Sequence, residues 1–592
     1  MIDRSTKLRW RRKFRRRQRQ IEDIGYQTEE NIDKLLFRRL GRLYEVRRFV
    51  LSWVVLVFAL IFGLILQTRS LGSYYLTLGP ADGGIFSEGI IGSYSNSNPI
   101  FASSDTDVTV SKLLYSGLLT YDKDSNLIGD LAESWSVDES GKIYTVVLKP
   151  DLHWHDGVEV TAEDVEFTIG LIKNPDSRSP YFSAWQGIKV EALNDREVQF
   201  TLPNILVSFP YSLTQGIVPK HKLSDIKTSD LRAHAFNTIE PVGTGPFEWK
   251  DVEVVGDTAD QREQRIALTA YSDYHRGAPK LDEFILRTFL SEDSLLTSFR
   301  DGKLNAIAGS LSLPESGDDV NEIIVPMNGS VMVFLNNASP ILSDAKIRNA
   351  LTMATDQKDI LHNVGVDTVA TDGPLLSSHI GYNKDYAQHS LDVAKANASL
   401  DEAGWLLDPA TGFRSKDGTR LSISLKTLNS PEFANVANRL QRQWLAVGVE
   451  LRIDSLPQAE LQLEVDARSY DALMYSVIMG SDADQFAYWH SSQADVRSQG
   501  GLNFANYKFE VADEALTAGR TRLDADVRSA KYLTFLQAWR EDAPAIALYR
   551  PRFTYTVYGS LYNFNKDGFN SPINRLDNVH EWMIRNERVI QG

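Results

Sequence analysis

Three spacings of apolar residues run along this chain, and each predicts a different element. Short alternating or β-branched runs predict strands over Ile143–Leu148 (IYTVVL), Glu197–Leu202, Arg265–Ala270, Ile323–Val325, Val331–Leu335 (VMVFL), Leu421–Leu425 and Val449–Ile453. Apolar positions three and four apart predict helices: Ala162–Lys173 behind Thr161 as N-cap, Ala345–Thr355 behind Asp344, and about Pro431–Val447, closed by Gly448. In the last of these Phe433, Val436, Ala437, Leu440, Trp444 and Leu445 fall on one face, and the VGVELRI run behind it reads as the strand of an α/β unit. The third pattern has no polar interruption. Phe49–Leu66 (FVLSWVVLVFALIFGLIL) carries no charge, and as a helix it would span about 27 Å, close to the hydrocarbon thickness of a bilayer.

Charge sharpens that picture. Residues 1–48 hold 16 Lys or Arg against 7 Asp or Glu, so a tail of +9 precedes a remainder of −24 within the net −15. The run Arg9–Arg19 reads as a lipid-facing cytoplasmic tail rather than a nucleic-acid site, because an apolar span follows it. Arg38, Arg39, Arg42, Arg47 and Arg48 lie just before that span and Arg69 just after, a bias that keeps the N-terminus cytoplasmic. Gln67-Thr68-Arg69-Ser70 makes no small-residue cleavage site, so the span reads as an uncleaved anchor. The chain has no Cys, which excludes disulfides, thiolate nucleophiles, Cys metal sites and a lipid-modified Cys. Ser70–Gly84 is Gly-rich and without helical periodicity, and reads as a tether. No internal repeat is present.

Candidate chemistry is sparse. His153-Trp154-His155-Asp156 resembles the start of a metallohydrolase site, but Asp156-Gly157 is a turn dipeptide and no further ligand cluster follows nearby. Asp122-Lys123-Asp124-Ser125-Asn126 mimics a calcium loop, but Leu127 stands where the sharp turn needs Gly, so a hairpin turn is expected. Val242–Phe247 (VGTGPF) lacks the trailing basic residue of a phosphate cradle and reads as a structural corner. No nucleophile elbow, phosphate loop or His-Glu-x-x-His occurs. Met479–Ser492 (MGSDADQFAYWHSS) crowds acids, aromatics and small polar residues into a segment with little periodicity, which suits a cleft wall, the alternative being a polar loop over a core Trp.

From about Ile85 onward the chain resembles the family 5 extracellular solute-binding proteins, the peptide and nickel receptors of ABC importers. The resemblance rests on elements in family order: Asn98-Pro99, LLYSGLLTYD (113–122), LAESW (131–135), HWHDGVEVTAEDVEF (153–167), VGTGPF (242–247), YHRGAPKLDEF (274–284), AKIRNALTMATDQ (345–357), AKANASLDEAGW (394–405), YDALMY (470–475), NFANY (503–507) and EDAPAIALYRP (541–551). It implies an α/β, two-lobed periplasmic-binding-protein-like fold of type II, in the large cluster with an extra subdomain, preceded by one transmembrane helix. The expected segments are a basic tail (1–48), a membrane helix (49–67), a tether (68–84), lobe I with the extra subdomain (85–328), lobe II (329–480) and a return to lobe I (481–592).

The implied function is capture of a peptide or peptide-like solute by hinge closure, for import by ABC permease subunits. No catalysis, metal, cofactor or nucleic acid is implied, and the receptor is expected to be a membrane-tethered monomer facing outward. In peptide-binding members an acidic side chain three positions before an Asp-Pro meets the ligand amine; here that register gives Met479, and Asp482-Ala483 replaces Asp-Pro. Asp482 or Asp484 is the expected substitute. The ligand-binding set is therefore Asp482, Asp484, Tyr488, Trp489, Met479 and Asn98. Two other classes fit some residues: a surface sensor signalling through the basic tail, and a secreted metallohydrolase built on the HWHD cluster.

Overall fold

The computed structural model describes residues 47–256, 262–309, 319–365, 368–495 and 501–590. The basic tail lies outside them, save Arg47 and Arg48. Two compact units are present, Met1–Gly79 with Asn586–Gly592, and Pro80–Arg585.

In the first unit a helix runs Arg47–Tyr75, and its stretch Arg48–Gln67 is long and apolar enough to cross a membrane. The segment expected as a tether is instead helical to Tyr75 and extended over Leu76–Ala81, where it pairs with Arg585–Ile590. Helix propagation explains the difference. Once nucleated, adding a turn is cheap, and the lone Gly72 costs only about 1 kcal/mol against that.

The second unit is built on two large sheets. The first has seven strands in the order Val320–Pro326, Arg552–Tyr558, Ala306–Ala308, Ile85–Ile91, Glu283–Phe289, Glu263–Ala270 and Phe247–Val255. A smaller four-stranded sheet, Ala132–Val137, Ile143–Leu148, Glu197–Thr201 and Lys189–Asn194, shares its hydrophobic core and forms the extra subdomain. The second large sheet has five strands, Glu450–Leu456, Ser422–Leu428, Ala472–Ile478, Gly329–Leu335 and Ala545–Tyr549. Gly329–Leu335 lies between two antiparallel partners and is buried at all its positions, which is why it reads as a continuous apolar run.

Local signals hold at most of these elements. Thr161 and Asp164 form a capping box at Ala162–Lys173, and Asp344 caps Ala345–Met353 through the Lys346 amide. Helix Pro431–Leu445 buries Val436, Ala437, Leu440 and Trp444 and joins two parallel strands, the expected α/β unit. Leu445, assigned to the same face, is exposed instead.

Chain crossings define two lobes. The chain leaves the seven-stranded sheet at Pro326 and enters the five-stranded one at Gly329. It returns between Tyr549 and Arg552, not near residue 480. Helices Glu510–Thr521 and Ala525–Asp542 pack with Met332, Phe334 and Leu461 in the core of lobe II, and Ala545–Tyr549 pairs with Gly329–Leu335. The second lobe is thus 329–549, and only the last forty-odd residues go back.

Candidate functional site

Where the two crossings run side by side, the hinge is tied by hydrogen bonds. The Met327 amide donates to the Pro551 carbonyl at 2.8 Å. Arg550 donates to the Met327 carbonyl through Nε (2.8 Å), and through Nη2 to Asn328 Oδ1 (2.6 Å) and the Pro326 carbonyl (3.2 Å). Burial holds this guanidinium below its ordinary pKa, with Asp567 opposing. Asn328 joins both lobes. Its carbonyl accepts from the Met479 and Gly480 amides of lobe II, while its amide donates to the Phe569 carbonyl and its Nδ2 to Asn570 Oδ1 in lobe I.

A cavity of about 620 Å³ opens beside this hinge, within the range of sites that enclose small solutes. Lobe I supplies the hairpin tip Lys123–Asn126, Tyr211, Asp567 and Gly568. Lobe II supplies Val369–Asp372, Leu375–Ser378, Tyr382, Lys384 and Ser481, and the hinge adds Asn328 and Arg550. Three cations and three carboxylates line it: Lys123, Lys384 and Arg550 against Asp124, Asp372 and Asp567. Burial, aided by Asp482, pushes the Tyr211 phenol up to about 12, so it faces the cavity as a neutral hydroxyl.

The calcium-like loop is a hairpin turn, as its sequence predicts: Leu119–Tyr121 pairs with Leu127–Gly129, and Asp122 Oδ1 accepts from the Asp124 and Asn126 amides. On the HWHD segment, His155 is a packing residue. It accepts from the Gly243 amide through Nδ1 and donates from Nε2 to the Gly245 carbonyl (3.0 Å), which ties HWHDG to the VGTGPF corner. Burial lowers its pKa to about 4.

Of the segment proposed as a cleft wall, Ser481 reaches the cavity. Asp482 takes Arg528 Nη2 on both oxygens (2.9 and 3.0 Å). Burial works to lower the Arg528 pKa, but Asp482 and Tyr532 together outweigh it and raise it. Asp484 takes Arg520 (3.2 Å) and, across the lobes, the Ser208 hydroxyl (3.1 Å); beside that bridge the Val207 amide donates to the Arg520 carbonyl. Tyr488 donates to the Ile478 carbonyl at 2.7 Å. Met479 is buried, with its amide on Asn328. Trp489 is fully buried, stacked on Phe334 with ring centroids 5.6 Å apart, which favours the core-Trp reading over a ligand platform. Asn98, fully buried, bonds Asn237 and the Ile100 amide.

Sequence patterns overlooked the loop Val369–Lys384. A signal was available: some fifteen residues without periodicity, holding Asp-Gly-Pro and paired serines between two helices, is a length and composition that mark functional loops. His379 fixes this loop to the hinge strand, accepting from the Leu376 amide and donating to the Gly480 carbonyl at 2.9 Å, and burial keeps it neutral.

Comparison with known proteins agrees with this geometry. The family model for bacterial extracellular solute-binding proteins, family 5 middle, matches residues 126–498. The oligopeptide-binding protein AppA of Bacillus subtilis is 27% identical over 518 residues, 85% of this chain and 92% of its own. Its solved structure with a nonapeptide superposes with a TM-score of 0.67 at 26% identity, covering 86% of this chain and 100% of that one. NikZ of Campylobacter jejuni, solved with Ni(L-His), gives a TM-score of 0.69 at 26% identity, covering 84% and 99%.

Proposed function

The chain belongs to the family 5 bacterial extracellular solute-binding proteins, and from that premise we propose that it encloses peptides between its lobes and hands them unaltered to an ABC importer. The observation that carries this reading is the hinge cavity itself. Its walls come from both lobes, so a solute there is buried when they approach and released when they part. Its balanced charges suit a zwitterion, since each buried ligand charge needs an opposite partner. Relatives at this level of similarity include an oligopeptide binder and peptide-binding proteins of ABC transporters.

The reading extends to the membrane. Helix Arg47–Tyr75, with its exposed apolar stretch and the arginines before it, supports a single-pass anchor that holds the binding unit outside and near its permease. Docking of the lobes on permease subunits, with ATP hydrolysed elsewhere, completes the cycle.

Native mass spectrometry of the purified chain, after incubation with a pool of tri- to nonapeptides, tests this. Retained peptides of unchanged mass are expected; retention of none, or recovery of cleaved products, contradicts it.

A further inference from the structure

Among the carboxylates near the hinge, Asp482 and Asp484 are committed to Arg528 and Arg520. A ligand cation at either would have to displace a guanidinium that is already hydrogen-bonded there. Asp372 is in a different position. It is half-buried in the lobe II wall of the cavity, and among the described residues no Lys, Arg or His side chain forms an ion pair with it. Lys384 and Arg550 line the same cavity without pairing to it, and Arg550 is held by the hinge carbonyls and Asn328.

The Asp372 carboxylate is also held in place. Oδ2 accepts from the Tyr382 hydroxyl at 2.8 Å. Burial, and then Asp372 itself, push the Tyr382 phenol up to about 12, so it stays a donor. The backbone around it is pinned to the edge strand of lobe II: Ala370 bridges Tyr549, the Thr371 amide donates to the Leu548 carbonyl, and Gln388, whose side chain bonds Ala547, donates its amide to the Asp372 carbonyl at 2.8 Å. A carboxylate fixed by packing and one hydrogen bond, with accepting capacity left, is preorganised for a cation.

Enclosure of a solute removes water from this group, and a carboxylate so desolvated keeps its charge only opposite a cation. We propose that Asp372, oriented by Tyr382, receives the free ammonium group of the enclosed peptide, the role expected from sequence of Asp482 or Asp484. The assignment rests on the peptide-receptor reading above and names its charge-selecting residue. A primary ammonium brings three donors, enough to meet Asp372 and neighbouring acceptors of the loop.

The test uses one peptide pool prepared with free and with acetylated amino termini, and calorimetry on peptides the wild-type chain retains. The wild type is expected to prefer the free-amine form. Asp372→Asn should weaken that form about 10- to 100-fold, as loss of a charge-assisted contact does, and leave the acetylated form unchanged. Tyr382→Phe, a milder change, should weaken the free-amine form alone by a smaller factor. Equal affinity of the wild type for both forms overturns the assignment. So does discrimination that survives Asp372→Asn, or that is lost in Asp482→Asn and kept in Asp372→Asn. Retention of neither pool by the wild type overturns the peptide reading, and the assignment with it.

Discussion

His155 shows how one side chain reports on the fold. It is neutral in the folded chain because burial lowers its pKa to about 4, whereas in the unfolded chain it titrates near 6.5. Between those values the unfolded state binds the extra proton, so stability is full above about pH 6.5 and is lost as the pH falls toward 4, by up to about 3 kcal/mol. Urea unfolding across that window should show the slope, and His155→Asn, which cannot titrate, should make it shallower without abolishing it, because burial lowers the His580 pKa to about 4 as well. At this scale sequence was only partly informative. The turn at Asp122–Asn126 and the structural role of HWHDG follow from local chemistry. That Asp372 and Arg550 line one cavity does not, because its walls join segments as distant in sequence as Lys123–Asn126 and Asp567–Gly568. The partners of Asp482 and Asp484 were illegible for the same reason: the helices bearing Arg528 and Arg520 are separate elements, and periodicity cannot show which side chain a carboxylate meets.

Between elements, close approach decides which residues are permitted. Gly329 opens the central strand of lobe II directly after the hinge, and a Cβ there would stand 2.4 Å from the Val477 carbonyl oxygen and 3.1 Å from Pro551. One obstacle is the backbone of the neighbouring strand Ala472–Ile478 and the other the hinge proline ring, so neither moves aside cheaply. Gly329→Ala should therefore lower stability by about 2–3 kcal/mol, seen as a lower urea midpoint at unchanged slope. Elements with their own periodicity were legible almost to the residue, as at Ile143–Leu148 and Ala162–Lys173. The helix past Gln67 was not, because what extends it is propagation from the apolar stretch and not any pattern of its own.

For the whole molecule, the first lobe crossing was legible and the second was not. The first sits between the apolar strand signals Ile323–Val325 and Val331–Leu335, observed as strands Val320–Pro326 and Gly329–Leu335. The second depends on Ala545–Tyr549 pairing with Gly329–Leu335 over some two hundred residues, a non-local contact that no window of sequence contains. Its consequence is a hinge of two adjacent strands-to-strand passages, stitched by Arg550 and Asn328, with an inter-lobe bridge from Ser208 to Asp484. Motion about that hinge is the claim on which the receptor reading stands. Because the chain has no native Cys, Glu139→Cys in lobe I and Thr419→Cys in lobe II, both exposed positions, can carry a fluorophore pair for energy transfer. Adding peptides that the chain retains should shift the transfer efficiency to a single new value, and removing them should restore the original one. An efficiency that stays fixed while peptide is demonstrably bound would contradict closure of the lobes around a solute.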